Sequence, residues 1–120
     1  MAKKLQDKLK FVKKAVKNGK YRYTVHGAKQ RIARRIKRKE IEEAIESSKI
    51  IEDYPNNHYG SACLLLGKTA KDKALHILCS LQEIVYVVTV YDTDLVDWED
   101  DLETRRIKWK KINVLFVKRN

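Results

Sequence analysis

Three residues in the second half of the chain have side chains suited to proton transfer beside a phosphodiester. His76 lies in an apolar stretch with strand-like alternation, and Thr89 and Tyr91 lie in the next such stretch. If a tight turn between Gln82 and Glu83 joins these strands, His76 faces Thr89, with Tyr91 one diagonal step away. Because imidazole exchanges protons near neutral pH, the pattern predicts a candidate catalytic group. The alternative is a buried histidine that makes one hydrogen bond to a neighbouring element.

A second group of polar side chains lies between residues 26 and 38. His26 begins a helix-like stretch, where the helix dipole disfavours the imidazolium, so His26 is either a neutral base or a packing residue. Arg31 and Arg35 are predicted to share one helical face. Guanidinium groups hold phosphate oxygens and stabilise developing charge. The predicted nucleic-acid contacts are Arg31, Arg34, Arg35, Arg38 and Arg105. The alternative is a solvated basic surface.

The remaining candidate residues give weaker signals. Trp98 is a candidate for stacking on a base, although a tryptophan also commonly completes a core. The histidines and cysteines lack metal-ligand spacing, so neither a metal nor another cofactor is predicted. Cys63 and Cys79 lie in apolar runs without a CxxC pattern, which indicates buried free thiols in a reducing, cytoplasmic compartment.

The charge of +11 is segregated along the 120-residue chain. Residues 1–39 carry +15, residues 40–104 carry −11, and residues 105–120 carry +7. Basic charge collected at the two ends is typical of a protein that binds a polyanion. The alternative is a solvated face in a lysine-rich, heat-adapted protein. No apolar run is long enough to cross a bilayer, so no membrane contact is predicted.

The periodicity predicts the elements that position these side chains. Leu5, Leu9, Val12 and Val16 share one face of a helix over 3–18, which ends at Asn18-Gly19. Residues 21–24 are a connector or an edge strand. A helix from Val25 with Ala28, Ile32 and Ile36 on one face is followed by a second helix over 39–48, and the two form a hairpin. Strands are predicted over 49–54, 61–66, 74–80 and 84–91.

These elements predict an α+β fold in which a two-helix hairpin packs on a four-stranded antiparallel meander. A helical turn beginning at Asp94 and a last strand over 112–116 are also predicted. The chain is expected to form one domain, with a basic N-terminal helix over 1–20, a core over 21–106 and a basic C-terminal extension over 107–120.

Several segments together resemble a known family. They are the run from His26 to Ile36, Ile51–Pro55, Leu64–Gly67, Ala74–Leu78, Val88–Asp92 and Trp98-Glu99. In this order and spacing they resemble small bacterial and archaeal domains of unknown function that are similar to the RelE/ParE and BrnT-type toxin superfamily. The resemblance implies a RelE-like sheet, metal-free RNA cleavage and a small antitoxin as partner. Arg31 follows His26 by five residues where the family pattern has four, which leaves their alignment open.

Three functions are compatible with these features. The first is a metal-independent endoribonuclease of toxin–antitoxin type, with His76 and His26 as acid–base candidates and Tyr91 positioning the RNA. The second is a non-catalytic nucleic-acid-binding module that uses only the basic ends. The third is a protein-interaction domain that forms a homo-oligomer, in which the acidic middle of one chain meets a basic end of another. The grouping of His76 with Thr89 and Tyr91 favours the first.

Overall fold

The computed structural model describes residues 2–57, 60–93 and 102–104. In this part of the chain, three helices and a five-stranded mixed sheet form an α+β fold, so the predicted fold class is confirmed. The elements, in chain order, are α1 (Ala2–Lys17), β1 (Tyr21–Tyr23), α2 (Val25–Ala33), α3 (Arg38–Glu46), β2 (Lys49–Asn57), β3 (Gly60–Lys68), β4 (Ala74–Leu81) and β5 (Val85–Asp92).

The sheet has the strand order β1-β5-β4-β3-β2. Strands β2 to β5 form the predicted antiparallel meander. The prediction of a four-stranded, wholly antiparallel sheet is wrong, because β1 adds a fifth strand parallel to β5. Only three residues of β1 pair, from Tyr21 opposite Val85 to Tyr23 opposite Val87, which is too short a run to give a periodic signal.

Helix α1 ends in a left-handed cap, as its Asn-Gly sequence predicts. Gly19 has φ +73°, the backbone amide of Lys20 donates to the carbonyl of Ala15, and that of Gly19 donates to Val16. This pattern satisfies the last carbonyls of the helix. The apolar face of α1 then packs into the core, where Val12 is fully buried. The N-terminal helix is therefore docked on the domain.

Helix α2 is shorter than its sequence pattern predicts. It ends at Ala33, and Ile32 is 65 % exposed although it was expected on the buried face. Ile36 is buried, but it reaches the core from the turn that follows α2. The apolar residues at 28, 32 and 36 therefore do not form one helical face, contrary to the prediction. Only its last member belongs to the core.

The pairing of β4 with β5 differs from the predicted register. His76 lies opposite Tyr91, and Thr89 lies opposite Leu78. The predicted pairing of His76 with Thr89 is wrong for two reasons. Residues 82–84 form a longer connection than the expected two-residue turn, and a bulge at Val88 shifts the rest of β5 by one more residue.

Two glycines let the helices approach the sheet at backbone distance. A Cβ atom at Gly67 in β3 would lie 1.8 Å from the carbonyl oxygen of Ala44 in α3. A Cβ atom at Gly27 in α2 would lie 2.3 Å from the carbonyl oxygen of Val87 in β5. Both distances are far inside van der Waals contact, so only glycine permits this packing.

Several predicted features lie outside the described residues. They are the helical turn from Asp94 with Trp98, Arg105, and the strand over 112–116. Among the helices that the structure describes, none combines the length and the apolar character needed to cross a bilayer.

Candidate nucleic-acid interface

The connection between α2 and α3, together with the first two residues of α3, forms a basic surface that is named here the basic turn. All five of its cationic side chains are solvent-exposed: Arg34, Arg35, Lys37, Arg38 and Lys39. The ion pairs found among the described residues are all made by lysines, and none includes a member of the basic turn. Its cations are therefore available to an external polyanion.

Backbone geometry fixes the shape of the basic turn. Arg35 has φ +57°, in the left-handed region that usually selects glycine. The amide of Ile36 donates to the carbonyl of Arg31, and the amide of Arg35 donates to that of Ile32, so α2 ends in a Schellman motif with arginine in glycine's place. A side chain that is retained at an unfavourable backbone angle suggests a functional role for that side chain.

Two arginines hold the basic turn against the sheet. The Arg31 guanidinium donates to the carbonyl of Ile36 at 3.2 Å and lies 5.5 Å from the ring centre of Tyr23. The Arg38 guanidinium lies 5.6 Å from the ring centre of Tyr23 and 5.8 Å from that of Tyr21. Arginine stacked on tyrosine loses less conformational freedom when it binds phosphate. The predicted helical stripe of Arg31 and Arg35 does not form, because α2 ends between them.

Arg34 connects the basic turn to the predicted catalytic group. Its guanidinium lies 5.9 Å from the ring centre of Tyr91, and the Tyr91 ring meets His76 edge-on at 5.3 Å. Of these three residues Arg34 is exposed, Tyr91 is half-buried and His76 is fully buried. The Nε2–H of His76 donates to the carbonyl oxygen of Leu102 at 2.8 Å. His76 is therefore linked through Tyr91 to the exposed Arg34, but it does not contact solvent itself.

The two candidate histidines lie on different elements and differ in exposure, because His76 is fully buried in β4. His26 is exposed in the first turn of α2, and Arg34 follows eight residues later, about 12 Å along the helix axis. The hydroxyl of Thr24 caps α2 and donates to the carbonyl of Val88, which places this end of the helix at the bulge of β5. Thr89 is half-buried on the sheet face of Tyr91, two residues away. The remaining predicted contacts, Trp98 and Arg105, lie outside the described residues.

Some residues of the site were not predicted from the sequence. Lys37 and Lys39 flank the predicted Arg38 and continue the same cationic run, so the run itself was the available signal. Tyr21 and Tyr23 gave no such signal, because their role depends on the folding of Arg38 over a strand that comes earlier in the chain.

Comparison with known proteins identifies the family. A family described as a domain of unknown function, DUF4258, matches residues 23–92, more than half of the chain. The chain belongs to the DUF4258 family. No curated protein and no solved structure is significantly similar to it. The DUF4258 region includes the basic turn, His76 and Tyr91, whereas α1 precedes it.

The two cysteines of this DUF4258 chain lie in its described part. Cys63 and Cys79 are paired neighbours on adjacent strands, and both are buried free thiols, as predicted. Burial raises the pKa of Cys63 to about 12 and raises that of Cys79 well above its usual value, which disfavours the reactive thiolate. Within the described ranges, no three His, Cys, Asp or Glu side chains are grouped as metal ligands.

Replacing Arg35 with glycine is expected to stabilise the fold and to weaken RNA binding. Arg35→Gly relieves the left-handed strain, so the free energy of unfolding should rise by up to about 1 kcal/mol. The same change removes an exposed cation, so affinity for RNA should fall several-fold. Urea denaturation and RNA binding, measured on the same samples, check the direction of both changes. Lower stability in Arg35→Gly would show that the arginine side chain supports the fold.

The tyrosines beneath Arg38 are expected to titrate at high pH. Burial raises the pKa of Tyr23, and the neighbouring Tyr21 raises it further. Burial likewise raises the pKa of Tyr21, as does the hydrogen bond that its hydroxyl donates to Glu42 at 2.5 Å. Because the folded state holds these protons more tightly, their contribution to stability is complete below about pH 10 and is lost at higher pH.

The titration can be followed by NMR of tyrosine ring carbons. Glu42→Gln should lower the pKa of Tyr21, because it removes both the carboxylate acceptor and its negative charge. If Tyr21 in the unaltered protein titrated at the ordinary tyrosine value, the described packing of these rings would be wrong.

Proposed function

We propose that this DUF4258 protein binds single-stranded RNA at the basic turn. The observation that carries the proposal is the set of five exposed cations, none of which forms an ion pair among the described residues. Two of them, Arg34 and Arg38, lie against tyrosine rings. Phosphates supply the complementary charge, and RNA strands with unpaired bases are commonly bound by cations interspersed with aromatic side chains.

Electrostatic binding of this kind has a measurable signature. Each cation that neutralises a phosphate releases counterions, which adds about 0.7 to the slope of log affinity against log salt for a single strand. Four such contacts at the basic turn would give a slope of roughly −3. The charge segregation of the chain, with +15 in residues 1–39, supports the same proposal.

The test is fluorescence anisotropy of a labelled single-stranded RNA, repeated over a range of salt concentrations. The proposal expects binding that weakens steeply with salt and that unlabelled RNA competes away. A matched acidic polypeptide competitor distinguishes RNA from a protein polyanion. Absence of RNA binding at low salt, or stronger competition by the acidic polypeptide, would contradict the proposal.

A second candidate is metal-independent endoribonuclease activity of toxin–antitoxin type. The contact series from Arg34 through Tyr91 to His76 favours it, because a guanidinium, a phenol and an imidazole adjoin. The proposed relation to the RelE/ParE and BrnT-type toxins, which rests on the resemblance of the sequence segments alone, would imply the same chemistry and a small antitoxin as partner. His76 and His26 remain the histidines proposed to take part in catalysis, although only His26 is exposed.

The chemistry proposed for this candidate needs no external reactant. The RNA 2′-hydroxyl attacks the adjacent phosphorus, the bond to the 5′-oxygen breaks, and a cyclic phosphate and a 5′-hydroxyl result. A base removes the proton of the 2′-hydroxyl, an acid protonates the 5′-oxygen, and arginines stabilise the charge on phosphorus. In this arrangement the half-buried Tyr91 lies between Arg34 and His76, so we assign the protonation of the 5′-oxygen to Tyr91, positioned by His76, and keep the exposed His26 as the candidate base.

Incubation of the protein with mixed single-stranded RNA in EDTA tests this candidate. Cleavage by the wild type that is lost in both His76→Ala and Tyr91→Phe would support it, and circular dichroism would show that both variants fold. Cleavage at the normal rate by a folded His76→Ala variant would remove His76 from the mechanism. Salt-sensitive RNA binding without cleavage would leave the protein as a binding module.

A further inference from the structure

Helix α1 exposes a phenylalanine within a row of lysines. Phe11 is 44 % exposed, Lys10 precedes it, and Lys14 lies one turn further along. Lys17 continues the row at the end of the helix, and all three lysines are exposed. The opposite side of α1 packs into the core through the fully buried Val12. The exposed set of Lys10, Phe11, Lys14 and Lys17 is named here the lysine face.

Lys14 and Lys17 of the lysine face lie in the last turn of α1, where cations favour the helix dipole, but the lysines of this face have no ion-pair partner in the described part of the chain. Lys8, by contrast, forms an ion pair with Asp53 and donates to the carbonyl oxygen of Ala62. No ion pair or side-chain hydrogen bond of the three lysines of the lysine face is found among the described residues. The lysine face therefore combines a partly exposed aromatic ring with three cations that have no ion-pair partner among the described residues.

We propose that the lysine face is a second contact surface for single-stranded RNA, in which the lysines bind phosphates and Phe11 stacks on an unpaired base. The inference rests on the proposed RNA binding at the basic turn. Neighbouring lysines of the face are three or four residues apart, which places their Cβ atoms about 5–6 Å apart along one side of the helix. Successive phosphates of one strand can therefore be contacted in register, with the intervening base turned toward Phe11.

The lysine face adjoins the basic turn across a groove between α1 and α3. Lys13 and Lys17 of α1 and Lys39 of the basic turn line this groove, whose volume is about 410 Å³. Two carboxylates in the groove already accept hydrogen bonds, Glu42 from the Tyr21 hydroxyl and Glu43 from the backbone amide of Ala70. Glu46 also lines the groove, and Asp7 is exposed on α1 one turn before Phe11. The groove lining is thus balanced at three lysines and three glutamates, and the small excess of cations along the path from Lys39 to Lys10 comes from Lys10 and Lys14.

Helix α1 lies outside the part of the chain that matches the DUF4258 family. The DUF4258 match begins at residue 23, after α1 has ended. An RNA contact on α1 would therefore lengthen the bound strand beyond what the basic turn alone can hold. Short oligonucleotides should occupy the basic turn only, and longer ones should reach the lysine face.

The experiment uses the full chain and two variants of the lysine face. Phe11→Leu keeps an apolar side chain but removes the ring, and we expect it to weaken binding of a 15-nucleotide single-stranded RNA on the order of tenfold with an unchanged salt slope. Replacing Lys10, Lys14 and Lys17 by glutamine should lower the salt slope by about 2. Neither change should weaken binding of a short oligonucleotide.

A matched control removes the same charge elsewhere. Lys68, Lys71 and Lys73 lie around the β3–β4 connection, and their replacement by glutamine should leave the salt slope nearly unchanged. Wild-type binding of RNA with no effect of the lysine-face variants would overturn the inference and leave the basic turn as the site. An equal effect of Phe11→Leu on duplex RNA would also overturn it. Failure of the wild type to bind any RNA would overturn the proposed function and this inference together.

Discussion

Gly67→Ala is expected to destabilise the protein by at least about 3 kcal/mol, lowering the melting temperature by roughly 10 °C or more. The added methyl group would lie 1.8 Å from the carbonyl oxygen of Ala44. That oxygen belongs to the backbone of α3, which cannot move like the end of a flexible side chain. The helix would have to separate from β3, and the buried contacts of Ile41 and Ile45 would loosen.

Gly19→Ala is the matched control for this change. Nothing lies within 4 Å of a Cβ atom built at Gly19, but its φ of +73° disfavours alanine. The strain is partly offset by the lower entropy of the unfolded alanine chain, so a loss of about 1 kcal/mol is expected. Thermal unfolding of both variants checks the ranking. Equal stability of Gly67→Ala and the wild type would contradict the packing of α3 on β3.

Replacing Arg34, Arg35 and Lys37 with glutamine is expected to weaken RNA binding roughly 10- to 100-fold at low salt. The three side chains are exposed and lack ion pairs among the described residues, so the fold should not depend on their charges. Their loss should also lower the salt slope by about 2, because each phosphate contact contributes about 0.7. Arg38 is retained because its guanidinium packs against Tyr21 and Tyr23.

The control for this variant is the same number of substitutions at Lys68, Lys71 and Lys73. The ion pairs of Lys68 with Asp72 and Lys73 with Asp92 are exposed, and such pairs add little stability. Both triple variants have the same net charge. Equal losses of affinity in the two would show that overall charge, rather than the basic turn, determines binding.

The strands of the meander could be predicted because their residue types indicate directly which positions are buried. The β-branched residues of β5 and the apolar run of β3 indicate strands in almost any context. The register of β4 with β5 could not be predicted, because no residue type at or near Val88 indicates that a bulge occurs there. The end of α2 was equally hidden, since its left-handed residue is Arg35 rather than the usual glycine.

The candidate site was predictable to the extent that charge alone defines it. The cations from Arg31 to Lys39 are adjacent in sequence, so any fold keeps them close together. The contact of Tyr91 with His76 depends on the register, and that of Tyr91 with Arg34 depends on where α2 ends. The burial of His76 was predicted as an alternative, but its acceptor, the carbonyl of Leu102, lies 26 residues further along and gives no signal in the sequence.

The most direct test of RNA binding at the basic turn is an NMR titration of the isotope-labelled protein with a short single-stranded RNA. Backbone amide and arginine side-chain signals would be followed residue by residue. The proposal predicts that the largest shifts occur between Arg34 and Lys39, with a smaller response at Tyr91. Shifts concentrated at the β3–β4 connection around Lys71, or an absence of localised shifts at saturating RNA, would contradict it.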